Sequence, residues 1–287
     1  MQNFNMTYQT EMLCGIHSVM EALKAGRRTF FKIYISKDRT LSRLNEIVEL
    51  AKSFKIAVEF VSADHLDRMS NGVKHQGITA KVSQFPLKKA EDELKSWDNL
   101  TSPEDQKADG KEKKVEKRKK FIVVLEGIED THNLGAIIRT AICAGVDHVV
   151  IPKDRAVQPS PAVSRISAGA MEHADIHIVT NTASYLKNLK KRGVWVAGLD
   201  AEGDTPLFHA DLTDNIAIVV GGEHQGIRPL VKKECDFLLS LPLAKAVSPT
   251  STPTSKEEIA VTTVGITSLN ASVACGIAIY EVVRQRN

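Results

Sequence analysis

Along this chain the spacing of apolar positions switches repeatedly between the 3.6-residue period of helices and the compact runs of strands. Early on, "GIHSVMEALKAG" carries Ile16, Val19, Met20 and Leu23 at helical spacing and stops at Gly26. "FKIYIS" then alternates as a strand, "LNEIVELAKSFK" reads as a second helix and "AVEFVS" as a second strand. "HLDRMS" is a short helix and "GITAKVS" a third strand. Strands interleaved with helices predict a small α/β sandwich over residues 10–87.

From residue 121 the alternation strengthens. "FIVVLEG" is a near-continuous apolar strand, as in a parallel sheet covered on both faces. A helix at 134–144, strand "HVVIP", a helix near 161–171, strand "IHIV" and a helix at 183–191 follow. Strands "VWVAGL" and "IAIVVGG", a short helix from Pro229, strand "FLLSLPL" and a long helix from Leu269 complete an open α/β sheet over 121–287. Between the two units, 88–120 ends in "DGKEKKVEKRKK" and is nearly free of apolar residues, which predicts a charged linker.

In open α/β sheets, ligands bind beyond the carboxyl ends of the strands. Here that edge is formed by loops 126–135, 221–227 and 241–270. The first contains "EDTHNLGAIIRTA", where helix-terminal amides favour an anion. Arg139 in the helix that follows is either a solvated charge or a working residue, and His132 reads as a turn residue. The second, "VVGGEHQGI", has Gly221, Gly222 and Gly226, suited equally to a tight turn and to close approach of a ligand. The third leads into "SLNASVACGIAIYEVVRQR", whose small residues suit close packing within the chain or a dimer seam. Asn270 stands at its helix entry as an N-cap.

Composition narrows the field only slightly. Of 287 residues, 43% are hydrophobic and 25% charged, with a net charge of +3, so nucleic-acid binding must come from local patches. Cys14, Cys143, Cys235 and Cys275 form no CxxC pair and read as reduced core thiols, with no metal site implied. Neither a signal-peptide pattern nor a membrane-length apolar run is present, so a cytoplasmic location is expected. Absence of GxGxxG after the first strand, and of GxxxxGK[ST], disfavours dinucleotide and P-loop sites.

Taken in order, "LEGIEDTHNLGAIIRTAICAGVDHVVIPKDRA", "VVGGEHQGI" and "LPL…SLNASVACGIAIYEVVRQR" resemble the three motifs of the SpoU (TrmH) family of RNA ribose 2′-O-methyltransferases. "GIHSVMEAL" and "VKHQGITAKV" are similar to the substrate-binding domain of one branch of that family. The resemblance implies an N-terminal RNA-binding domain and a C-terminal α/β domain tied in a trefoil knot. It also implies S-adenosylmethionine (SAM) as methyl donor, a homodimer built on the last helix, and an rRNA guanosine as substrate. Alternatives are a tRNA substrate, or a non-catalytic RNA-binding protein on the same scaffold.

Carried over by motif, Asn133, Arg139, Glu223, Ser268 and Asn270 are the catalytic positions, and Gly221, Leu241 and Leu269 touch the cofactor. Arginine is a poor base, since its pKa exceeds ~12. Arg139 is therefore expected to clamp an RNA phosphate and the developing 2′-oxyanion, with phosphate-assisted proton removal as the second choice. His17, "KHQG" and the basic residues of 113–120 are candidate RNA contacts. One departure from the family is the Pro/Ser/Thr-rich insertion at 244–264, read as a lid, an impediment or a surface excursion.

Overall fold

Inward-facing Leu13, Ile33, Ile35, Ile78, Ala80 and Val82 line a four-stranded sheet and, with the two helices packed on it, form the first hydrophobic core. The structure is a computed structural model that describes residues 9–38, 42–100, 118–223, 225–243 and 268–287. Its first unit runs β1 (Thr10–Cys14), α1 (Ile16–Ala25), β2 (Phe30–Ser36), α2 (Ser42–Ser53), β3 (Val58–Val61), α3 (Ala63–Met69) and β4 (Ile78–Ser83). Sheet order is β1-β4-β2-β3, with β4 antiparallel to β1 and β2, and β2 parallel to β3. Gly26 ends α1 at φ 63°, a left-handed turn suited to glycine. Strand β1 was not anticipated, because "TEMLC" grades from exposed to buried without alternating.

The second unit runs β5 (Lys88–Lys89), α4 (Ala90–Leu100), β6 (Phe121–Glu126), α5 (Thr131–Cys143), β7 (His148–Pro152), α6 (Pro161–Ile166) and a 3-10 turn (Ala170–His173). It continues with β8 (Ile176–Val179), α7 (Thr182–Lys190), β9 (Trp195–Leu199), β10 (Thr205–Pro206), β11 (Ile216–Gly221), α8 (Pro229–Lys232), β12 (Phe237–Ser240) and α9 (Ala271–Arg286). All eight strands are parallel, in the order β10-β12-β9-β11-β6-β7-β8-β5. One face packs on α5, α6 and α9 and the other on α4, α7 and α8, which is why β6 and β11 are apolar along nearly their whole length. Successive strands run outward from β6 to β8, then the chain returns so that β11 lies beside β6. That reversal opens the crevice at the carboxyl ends of β6 and β11.

Two sequence expectations need correction. The linker reading fails for 88–100: Ala90, Leu94 and Trp97 form a helical stripe that packs against the α7 side of the large sheet, while β5 extends its edge. Those apolar residues are spaced for one helix face, a pattern that an average over the charged segment hides. The helix expected near 161–171 breaks after Ile166, where Ala168 and Gly169 take φ values of 53° and 83°. The 244–264 insertion, and the chain path on which a knot depends, lie outside the described residues. Among the cysteines, Cys14 and Cys275 are buried as expected, whereas Cys143 is exposed; burial pushes the Cys275 thiol up to about 12.

The two units are joined through a buried ion pair. The guanidinium of Arg28, fully buried, donates from Nε to Glu172 Oε2 at 2.7 Å and from Nη2 to Glu172 Oε1 at 3.2 Å. Its remaining terminal nitrogen reaches Glu11 and the Ser83 carbonyl, and Phe85 lies against its face. Beside it, α1 sits on Gly169, where a Cβ would lie 2.7 Å from His17 O and from Glu21 Cβ. Breaking one partner of a buried pair costs about 3–5 kcal/mol. Urea titration should therefore show Arg28→Ala losing stability of that order. Arg28→Lys should recover only part of it, because lysine lacks the planar fork.

Candidate active site

Asp130 caps α5 by accepting the N–H of His132 at 3.0 Å, which starts the helix at Thr131, three residues earlier than its apolar pattern suggests. The early start places Asn133 in the first turn, buried and facing the crevice. Asn270 caps α9: its Oδ1 accepts from Ser272 N at 2.9 Å, Ser272 Oγ at 2.6 Å and Val273 N at 3.3 Å. The capping role expected for Asn270 is therefore real, and it leaves the amide nitrogen free to act elsewhere.

That nitrogen donates to Asn133 Oδ1 at 3.0 Å and to Glu223 Oε1 at 2.7 Å. Asn133 Nδ2 donates to the same Glu223 oxygen at 2.7 Å. Asn133, Glu223 and Asn270 thus close a hydrogen-bonded triangle that joins all three motif loops.

Backbone contact explains the second loop. A Cβ on Gly221 would lie 2.2 Å from the Gly226 carbonyl carbon, and one on Gly222 would lie 2.1 Å from Gly127 O. Of the two uses left open for these glycines, the turn is the one visible: the end of β11 folds onto itself and onto the loop after β6. Gly222 N donates to Glu126 O at 2.9 Å, continuing the ladder one step past the strand. Glu126, buried at the end of β6, pairs with the Arg228 guanidinium.

Two clefts flank the triangle. One, of about 490 Å³, is lined by Leu199, Val220, Gly221, Leu241, Leu269 and Ala274, with Asp200 and Glu202 at its side. Ser268, Asn270 and Glu223 also border it. The other, of about 570 Å³, lies beyond Asn133 and Glu223 and is bordered by Glu126, Asp130, Arg155 and Arg228. Gly222, Glu223 and Gly226 are common to both.

Seven of the eight sequence-selected residues therefore gather at one place, and Arg139 does not. Six residues after Asn133, and ~9 Å further along the helix axis, it points outward from α5. It lines neither cleft, and no described residue hydrogen-bonds or ion-pairs with it. Of the candidate RNA contacts, His17 is exposed with Nε2 3.0 Å from Arg43 Nη1. Within "KHQG", Gln76 Oε1 accepts the Ile16 N–H at 3.1 Å and His75 Nδ1 accepts from Gly77 N at 3.0 Å, so both support the fold.

Sequence reasoning missed Asp200, Glu126 and Arg228. Burial works against ionisation of Asp200, but Lys232, 2.8 Å away, and the Glu202 N–H hold its carboxyl below the usual range. An acidic residue directly after the strand "VWVAGL" was the available signal.

An α/β protein with an open cleft at the switch point of a parallel sheet, flanked by a small second α/β unit, is the class this geometry defines. The chain belongs to the SpoU rRNA methylase family, whose model matches residues 120–249. A second family model, RNA 2′-O ribose methyltransferase substrate binding, matches 12–87. The chain is 37% identical to the 23S rRNA (guanosine-2′-O-)-methyltransferase RlmB of Coxiella burnetii, covering 95% of this chain and 94% of that one. It is 32% identical to RlmB of Escherichia coli K12, covering 97% and 100%. The SpoU methyltransferase AviRb from Streptomyces viridochromogenes, solved with AdoMet, shares the fold at a TM-score of 0.69 and 19% identity, covering 96% of this chain and 90% of AviRb.

Glu223→Ala removes the shared acceptor of two amides while leaving the strand ends intact. Because only Asn133 is buried, unfolding stability should fall by about 1–3 kcal/mol. Gly222→Ala forces a Cβ against a backbone oxygen and should cost at least as much, about 1–3 kcal/mol or more. Denaturant titration of both variants beside the parent measures each loss.

Proposed function

We propose that the protein is a SAM-dependent RNA methyltransferase that methylates the ribose 2′-hydroxyl of a guanosine in 23S rRNA. The observation that carries the reading is the Asn133–Glu223–Asn270 triangle, which gathers the three family motifs around one cleft at the strand ends. The 490 Å³ cleft suits the methyl donor: leucines offer an apolar bed for adenine, strand-end backbone lies open beside Gly221, and carboxylates favour a cationic sulfonium. When bound there, SAM supplies an electrophilic methyl group. Gly221, Leu241 and Leu269 would hold it, with Asp200 and Glu202 as polar partners.

The chain's own task is to bring a ribose oxygen into line with that methyl group and to support its developing negative charge. Asn133, Glu223 and Asn270 keep the loops around the cleft in register. Ser268 offers a hydroxyl at the rim. Arg139, uncommitted among the described residues, is free to hold an RNA phosphate bidentately and to stabilise the 2′-oxyanion. The proton then leaves toward the bound phosphate or solvent, with no neutral arginine required.

Residues 12–87 form the RNA-selecting unit in this reading, and an rRNA substrate implies a cytoplasmic location. No helix among the described residues is long and apolar enough to cross a membrane. A homodimer through α5 and α9 is supported by the exposed Val273 and Tyr280 on α9. Arg139, outside its own chain's clefts, lies on the neighbouring helix, where Thr140 faces Gly276. Tyr280→Glu should shift the mass measured by light scattering from dimer to monomer.

The central test offers methyl-labelled SAM with unmodified 23S rRNA, 16S rRNA and bulk tRNA separately. Label in 2′-O-methylguanosine of 23S rRNA is expected. Label confined to tRNA would replace the substrate, and absence of both label and SAM binding would overturn the reading. Arg139→Ala should fold and bind SAM normally while turnover falls about 10²–10³-fold.

A further inference from the structure

At the opposite, N-terminal edge of the large sheet, three side chains converge that methyl transfer does not use. His148 opens β7, and His177 in β8 pairs in register with Val150. Strand alternation then puts both imidazoles on the face covered by α4 and α7. Asp175, just before β8, presents its carboxylate to both. Its Oδ2 lies 3.1 Å from His148 Nδ1 and 3.1 Å from His177 Nε2. The rings meet edge-on with centroids 4.8 Å apart, and the three potential ligand atoms lie within 4.8 Å of one another.

Hydrogen bonding alone leaves this trio incomplete. His177 is 1% exposed, yet its Nε2 has no hydrogen bond of adequate geometry, even to the nearby Asp175. A buried nitrogen that meets a carboxylate at 3.1 Å without good alignment is left under-satisfied, which is costly. Two imidazoles and one carboxylate make the donor set of a borderline transition metal. Tetrahedral bonds of the usual zinc length set donors ~3.3 Å apart; the two carboxylate–imidazole spacings are 3.1 Å, and the two imidazole nitrogens, which lie within 4.8 Å of each other, close toward that spacing as the ion binds. Glu93 Oε1, 3.4 Å from His148 Nε2, stands where a carboxylate receives the far N–H of a ligating histidine.

We propose that His148 Nδ1, Asp175 Oδ2 and His177 Nε2 form a structural binding site for a zinc-class divalent ion, with water as the fourth ligand. The ion ties β7 to β8 beside the junction of the two units, since Arg27 of the first unit and Lys88 of β5 approach Asp175 Oδ1 at 3.7 and 2.8 Å. These two cations oppose the metal's charge. Lys88 is half exposed, and its ammonium can swing into water as the ion enters. Affinity is therefore set by competition between the ion and Lys88 for one carboxylate.

The test uses untagged, full-length protein carrying Cys143→Ser, to remove an exposed thiol, after dialysis against a chelator. Calorimetric titration with Zn²⁺ should give one equivalent, accompanied by a rise in the thermal midpoint. His177→Ala should abolish both. Lys88→Met, at an exposed position, should fold normally and tighten Zn²⁺ binding roughly threefold to fivefold, the size of a half-exposed ion pair's competition for one carboxylate. No Zn²⁺ binding by the parent, an equivalent retained in His177→Ala, or unchanged affinity in Lys88→Met would each overturn the proposal.

Discussion

Glu223 Oε1 accepts the amide groups of two asparagines that come from opposite ends of the catalytic unit. Its partners are 90 and 47 residues away in sequence, and the third side of the triangle spans 137. Because Asn270 spends its oxygen on the α9 cap and its nitrogen on the triangle, the helix start and the cleft wall are fixed together. Moving any one loop strands a polar group that another loop supplied. The cleft's shape depends on this closed set of bonds more than on any single lining residue.

Strand order makes the triangle possible. Placing β11 beside β6 brings the ends of two strands distant in sequence to neighbouring positions, Gly221 opposite Glu126. Only backbone fits where they continue, since Gly222 rests against the Gly127 carbonyl. Side chains there would push the loops apart and open the space that the asparagines bridge. The apolar cleft and the more polar one beyond it are therefore two sides of one wall.

The small unit is fixed to the large one by ionic and steric means. Arg28 is desolvated against Glu172, and α1 closes over Gly169 with no space for a Cβ. These contacts tie the unit that matches the substrate-binding family model directly to the sheet that carries the cleft. The cleft beside the Asn133–Glu223–Asn270 triangle lies at the carboxyl edge of the sheet, and the His148–Asp175–His177 group at the amino edge, at opposite ends of the same strands.

Periodicity and motif spacing made most elements of the large sheet readable, because each local pattern reports whether a residue's own face is buried. Asn133, Glu223 and Asn270 stood out through the motifs in which they sit. Arg28 and Glu172 did not, since a charged residue in "GRRTF" or "GAMEHAD" reads as solvated until its partner is known. The α4 stripe of Ala90, Leu94 and Trp97 was hidden by the charge around it. Local patterning was enough to specify the alternation of helices and strands and the loops at the strand ends, because these follow from local burial and turn geometry. Tertiary structure alone decided that one carboxylate oxygen joins two amides, that Arg139 faces outward, and that two histidines flank Asp175. Such pairings depend on strand order and register, which no local period encodes.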